Sequence, residues 1–173
     1  MLFVFFGLAV LTIVVSMFWA GLAGAPWVPT FSQAAKASID LAQIKKGEIV
    51  YDLGCGDGRW LTRAAKFTEA KDLIGFEISF LPYILAKLNF LFSSERKRLH
   101  VKWQNYFKID LSQADVIYCF GLPGVMSRLE PKLIKELKPG ARLVSYVFKL
   151  PYKQSDKVVK LGDSSSSLYL YIF

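Results

Sequence analysis

The sequence is poor in the residues that most often carry metal and acid–base chemistry. It has one histidine, His100, and two cysteines, Cys55 and Cys119. His100 has no Cys, His or carboxylate at a ligand spacing, and the cysteines form no metal-binding pattern. No metal site is expected, and no disulfide framework. Acidic residues are also scarce, 14 against 22 Lys and Arg, which leaves a formal charge of +8. No helix-turn-helix, RNP or zinc pattern accompanies this basic excess, so no nucleic-acid partner is expected. The densest basic cluster, Arg96-Lys97-Arg98, reads as an exposed loop ahead of a strand. There is no internal repeat, and Ser164 to Ser167 is short enough to be a hairpin loop.

Charge is missing altogether from Leu2 to Gly24. As a helix this run would extend about 34 Å, enough to cross a hydrocarbon core of about 30 Å. It accounts for much of the 53% hydrophobic content and the mean hydropathy of +0.33. The reading is a transmembrane anchor over residues 2–24. A cleaved signal peptide is the first rival, since Ala20 to Ala25 offers small residues for cleavage. Against it, no basic residue precedes the run, and the run exceeds the usual apolar core of such peptides. A buried helix of a water-soluble domain is the second rival. Every Lys and Arg follows the run, so the positive-inside rule puts the rest of a single-pass chain on the cytoplasmic side. The bilayer is then a partner, and basic surface near anionic headgroups explains the charge. Ala25 to Pro29 (APWVP) forms a stiff hinge, with Trp19 and Trp27 flanking the exit from the bilayer.

Residues 30–173 have the length of one ordinary domain. Thr30 to Gln33 fits a capping box for a helix running to Lys46, before Gly47. Strands are expected at 48–53, 72–77, 99–103, 115–120 and 141–148. Helices are expected at 58–67, 80–92 (capped by Ser79) and 124–137. A closing antiparallel pair, 157–161 and 168–173, ends the chain. This alternation predicts an α/β, Rossmann-like, seven-strand and mostly parallel sheet.

In such a sheet ligands bind outside the carboxyl ends of the strands. The first strand ends there in Asp52-Leu53-Gly54-Cys55-Gly56-Asp57-Gly58. Three glycines at every second position let a ligand lie against the backbone. The spacing is D-x-G-x-G-x-G rather than the dinucleotide pattern G-x-G-x-x-G. Asp52 and Asp57 would repel a pyrophosphate but suit a ligand with an ammonium and a sulfonium. Asp57 has a second reading, as a cap on the following helix. Glu77 ends the second strand, where a ribose would offer two hydroxyls to one carboxylate. Asn105 follows the third strand and offers a donor and an acceptor to an adenine edge, or serves as a turn residue. Phe120-Gly121-Leu122-Pro123 follows the fourth strand, as substrate contact or as strand-end packing. The helix from Phe80 to Phe92 is apolar on nearly every side, so it is either core or a face that enters a membrane interface.

With DLGCGDGR and an acid 25 residues after Asp52, the chain resembles the class I S-adenosylmethionine-dependent methyltransferases over residues 30–173. The resemblance implies S-adenosylmethionine as cofactor, with Asp52, Leu53, Gly54, Cys55, Gly56, Asp57 and Gly58 at its methionine end. It further implies Glu77 on the ribose and Asn105 near the adenine. Ala25-Pro26-Trp27-Val28-Pro29-Thr30, GFEIS and the CFGLP-to-Met126 stretch are similar to a narrower group. These are the small membrane-anchored lysine methyltransferases of the ATP synthase c-subunit and the adenine nucleotide translocase, with their prokaryotic relatives. That likeness implies N-methylation of a lysine in an integral membrane protein. Pro29, Thr30, Phe120, Gly121 and Pro123 would then lie on the substrate side. The rivals are a methyltransferase for a lipid or lipophilic small molecule and a non-catalytic membrane-tethered module. No residue stands out as a general base.

Overall fold

A computed structural model describes Gly7 and residues 32–162 and 166–173. Apart from Gly7, the expected anchor lies outside the described residues, as do the hinge, Pro29 and the Thr30 cap. Among the described residues no helix is long and apolar enough to cross a membrane.

The elements in chain order are α1 (Ser32–Ala42), β1 (Ile49–Leu53), α2 (Arg59–Phe67), β2 (Asp72–Glu77), α3 (Phe80–Leu91) and β3 (Leu99–Trp103). A 3-10 turn (Tyr106–Lys108), β4 (Val116–Cys119), α4 (Pro123–Glu136), β5 (Arg142–Tyr146), β6 (Lys157–Lys160) and β7 (Ser167–Ile172) follow. The seven strands form one sheet in the order β3-β2-β1-β4-β5-β7-β6. Strands β1 to β5 are mutually parallel, and β7 joins β5 antiparallel with β6 outside it. The sheet is therefore mixed, with the expected closing pair at one edge.

Each face of the sheet is covered. Helices α1, α2 and α3 close one face over Val50, Leu73, Tyr118 and Val144. Helix α4 closes the other with Met126, Leu129 and Leu133, against Tyr51, Leu53, Ile117 and Leu143. Residues adjacent along β1 thus point to opposite cores, as strand geometry requires. Trp60 stacks flat on Tyr118 at 4.3 Å and donates its indole N–H to Ser38 Oγ at 2.8 Å, tying α2 to both β4 and α1.

Three local expectations are corrected. Helix α1 stops at Ala42 rather than Lys46, because Gln43 takes a left-handed φ of 48° and ends the helix there. Strand β5 stops at Tyr146 rather than Phe148, because Val147 adopts φ 68°. Ser79 holds the N-cap position of α3 without a side-chain cap; its N–H instead donates to Glu77 Oε1 at 2.7 Å. Helix α1 also has a readable direction. The carbonyl of Gln43 accepts from Arg142 Nη1 at the start of β5. The helix therefore ends at the amino edge of the strands and begins toward their carboxyl edge, where the glycine loop lies.

Candidate functional site

The loop after β1 is stitched to the end of β2 through its backbone. Gly54 and Cys55 both donate to the Phe76 carbonyl, at 2.9 and 3.1 Å, and Gly58 N–H turns back to the Cys55 carbonyl at 2.9 Å. Gly56 N–H donates to Glu77 Oε2 at 2.9 Å. Gly54, Gly56 and Gly58 have φ of 84°, 57° and 74°, which a side chain would strain. Crowding adds to this at Gly58, where a Cβ would sit 2.4 Å from the Phe90 ring. At Gly54 the nearest atom to a Cβ is Tyr106 Cε1, at 3.9 Å, so the loop runs past Tyr106 with room beside it.

Asp52, Asp57 and Glu77 converge on this loop, and all three are buried. Their environments differ. Asp57 is neutralised by the Arg59 guanidinium, with contacts of 2.6 to 3.0 Å, and also accepts from Arg59 N–H at 3.3 Å. Gly58, not Asp57, holds the N-cap position of α2, and Asp57 instead binds the first residue of that helix through that residue's side chain and N–H. Glu77 holds the Gly56 and Ser79 amides with its two oxygens, and each oxygen keeps a further lone pair for a diol. Asp52 receives no side-chain hydrogen bond from any described residue. Burial, then the charges of Glu77 and Asp57, hold its carboxyl well above the usual carboxylate range.

A buried carboxylate with no side-chain donor among the described residues, beside a loop of left-handed glycines, fits a ligand with a cationic end. It does not fit a polyphosphate. S-adenosylmethionine meets that requirement: Asp52 would hold its cationic end and Glu77 would hold its ribose. Bound there, it supplies an activated methyl group on sulfur. The protein's part is to bind, orient and keep water out.

The other expected residues distribute as follows. Leu53 is core, 2% exposed. Cys55 Sγ would lie 2.5 Å from a Cβ on Gly75 of β2, so Gly75 makes room for the loop. Asn105 caps the 3-10 turn, its Oδ1 accepting Phe107 N–H at 2.9 Å, which leaves its amide N–H donors for other partners. Tyr106, the next residue, is the one that borders Gly54. Phe120 packs on Tyr146 at 4.8 Å and Phe148 at 6.4 Å, an aromatic group at the carboxyl ends of β4 and β5. A Cβ on Gly121 would meet Val125 Cγ1 at 2.8 Å, which lets α4 start directly behind it, with Pro123 as its first residue. Pro29 and Thr30 lie outside the described residues. Sequence reasoning missed Asn89, whose Nδ2 donates to the Asp57 carbonyl at 2.9 Å and clamps the loop from α3. Nothing in its local sequence marks that role.

Neither the thiols nor the Tyr106 hydroxyl at the site is poised as a base at neutral pH. Burial pushes Cys55 up and raises Cys119 to about 12, with the charge of Asp52 adding to both; burial also pushes Tyr106 up. Among the described residues no cluster of His, Cys, Asp and Glu could hold a metal ion.

Comparison with known proteins agrees with this geometry. Residues 52–157 match the model of the ANTKMT methyltransferase domain. A protein-lysine N-methyltransferase of Saccharolobus islandicus (strain REY15A) is 37% identical over 149 residues, 85% of this chain and 92% of that protein. An ATP synthase c-subunit lysine N-methyltransferase of Xenopus laevis is 28% identical over 84% of this chain, which spans 62% of that protein. The crystal structure of an RNA methyltransferase from Salinibacter ruber, in complex with S-adenosyl-L-homocysteine, superposes with a TM-score of 0.79. It is 30% identical, over 84% of this chain and 93% of that one. The chain belongs to the ANTKMT methyltransferase domain family, and it is a class I S-adenosylmethionine-dependent methyltransferase.

Proposed function

We propose that the methyl acceptor is the ε-amine of a lysine in a protein held at a membrane, and that the catalytic domain works on the cytoplasmic side of an N-terminal anchor. The observation that carries the acceptor is the match to a protein-lysine N-methyltransferase at 37% identity over 92% of that protein's length. The observation that carries the membrane is the charge-free run from Leu2 to Gly24. Relatives named as lysine methyltransferases of the ATP synthase c-subunit support both.

Lysine makes a specific demand on the site. Its ordinary pKa near 10.4 leaves roughly one neutral amine in 10³ at pH 7, a cost of about 4–5 kcal/mol. Desolvation beside the cofactor's positive charge lowers that pKa and recovers part of the cost. The aromatic group of Phe120, Tyr146 and Phe148 suits this, because it dries the acceptor side without adding a charge to it.

The test uses methyl-labelled S-adenosylmethionine, native membranes and the full chain, followed by separation of protein, lipid and nucleic acid. Label in protein that is recovered as methyllysine, and lost with Glu77→Ala, is the expected result. Label confined to lipid supports the lipid-methyltransferase rival. Label in RNA would align the chain with the activity named for the Salinibacter protein.

A further inference from the structure

Helix α3 is built inside out for a domain surrounded by water. Its buried line is Pro82, Ala86 and Phe90, mostly small residues, while large apolar side chains face outward. Among the described residues, half of the exposed large apolar side chains belong to this helix and its flanks: Ile78, Phe80, Leu88, Leu91, Phe92 and Trp103. Phe92 is 84% exposed. Trp103, on the edge strand β3, extends the patch. Its ring packs on Phe80 and Tyr83 at 5.5 and 6.1 Å, and its indole N–H is already satisfied by the Ile78 carbonyl at 2.8 Å. A helix apolar on its outer face needs another apolar phase against it.

Charge and chain geometry say which phase. No acidic residue occurs from Ile78 to Ser94. The cations at this surface are Lys87, whose ammonium lies 5.5 Å from the Tyr83 ring centroid, and the exposed Arg96 and Lys97 just beyond the helix. Of the neighbouring acids, Glu77 and Asp57 are buried, and Glu95 is paired with Arg98 at 2.6 Å. Aromatic rings, aliphatic side chains and a cationic rim are the composition of an interfacial helix on anionic lipid. The charge-free run ends at Gly24, eight residues before α1, a reach of at most about 28 Å.

We propose that the outer face of α3, with Trp103 on the edge of β3, docks onto the anionic surface of the bilayer that the N-terminal run enters. This deepens the membrane reading above and rests on it. Helix α3 follows Glu77 and runs from the carboxyl edge to the amino edge of the sheet, about 18 Å at 1.5 Å per residue. Lying flat on the lipid, it holds the glycine-loop edge open along the membrane surface, where a lysine at the lipid–water boundary would be presented.

The test attaches an environment-sensitive fluorophore to Leu91→Cys in α3 and, separately, to Ile134→Cys on the exposed side of α4. The native Cys55 and Cys119 are buried and do not compete for the label. The full chain is reconstituted into vesicles containing phosphatidylserine. A blue shift and quenching by nitroxide lipids at position 91, with neither at 134, is the expected result. Adding Leu88→Glu and Phe92→Glu should cut the quenching at 91 about tenfold while calorimetric S-adenosylmethionine binding is retained. Equal signals at both positions, or none at 91, would overturn the proposal. So would a shift at 91 that appears in detergent without lipid and grows with protein concentration, which assigns the face to a second copy. Flotation of the chain with the vesicles reads the anchor separately and no readout depends on methyl transfer, so failure of the docking is told apart from failure of the membrane reading and of the lysine assignment.

Discussion

Asp52 carries the electrostatic strain of the site. Its carboxyl is buried, lacks a side-chain donor among the described residues, and faces Glu77 and Asp57. Its folded pKa is raised above the unfolded value near 3.9, so the folded state binds the extra proton. The resulting stability is fully present below pH ~4 and is lost as pH rises through the folded pKa. Asp52→Asn should therefore stabilise the ligand-free protein near pH 7. Each kcal/mol relieved would raise Tm by about 2–4 °C for a chain of this size, readable by calorimetry, while cofactor affinity falls. Gly58 gives the opposite result for stability. Gly58→Ala combines a φ of 74° with a Cβ 2.4 Å from the Phe90 ring. A loss of about 2–4 kcal/mol in a denaturant titration is expected, with cofactor binding weakened as the loop shifts.

At the scale of elements, the glycine loop is a backbone knot held from two sides. β2 holds it through the Phe76 carbonyl and Glu77, and α3 through Asn89 and Phe90. Asn89→Leu should leave α3 formed, since Asn89 is exposed and has low helix propensity, yet lower cofactor affinity by about 3- to 10-fold, the worth of one hydrogen bond. A circular dichroism spectrum and a binding isotherm together check this. What was legible in the sequence follows the same division. β2 and β3 have the limits that their apolar runs and bounding residues announce, and Asp52 and Glu77 were readable as strand-end acids beside a glycine loop. Asn89 and Gly75 were not, because each matters through a contact with a residue distant in sequence. The stop of β5 was hidden too. Val147 is a strong strand former, and only its left-handed turn, with Ser145 Oγ bonded to the Phe148 carbonyl, ends the strand. Asn105 was legible as a polar strand-end residue, and the structure gives its oxygen to the 3-10 turn.

At the scale of the whole molecule, three features share a direction. The carboxyl edge carries the acidic pocket, α1 begins toward that same edge, and α3 leads away from it with an apolar outer face. Asp52 and Glu77 are placed to bind the cofactor by its cationic and diol groups. A cation arriving at Asp52 should lower its raised pKa, so cofactor binding should release a proton at pH values above the usual carboxylate range. The decisive measurement is isothermal titration with S-adenosylmethionine at a series of pH values upward from the usual carboxylate range, in buffers of different ionisation enthalpy. Wild type, Asp52→Asn and Glu77→Ala are compared. Expected are one cofactor per chain with proton release in the wild type, binding weakened and release abolished in Asp52→Asn, and affinity reduced at least about tenfold in Glu77→Ala, consistent with charged hydrogen bonds lost. Unchanged affinity in either variant, or wild-type binding without proton release at those pH values, would contradict this binding mode.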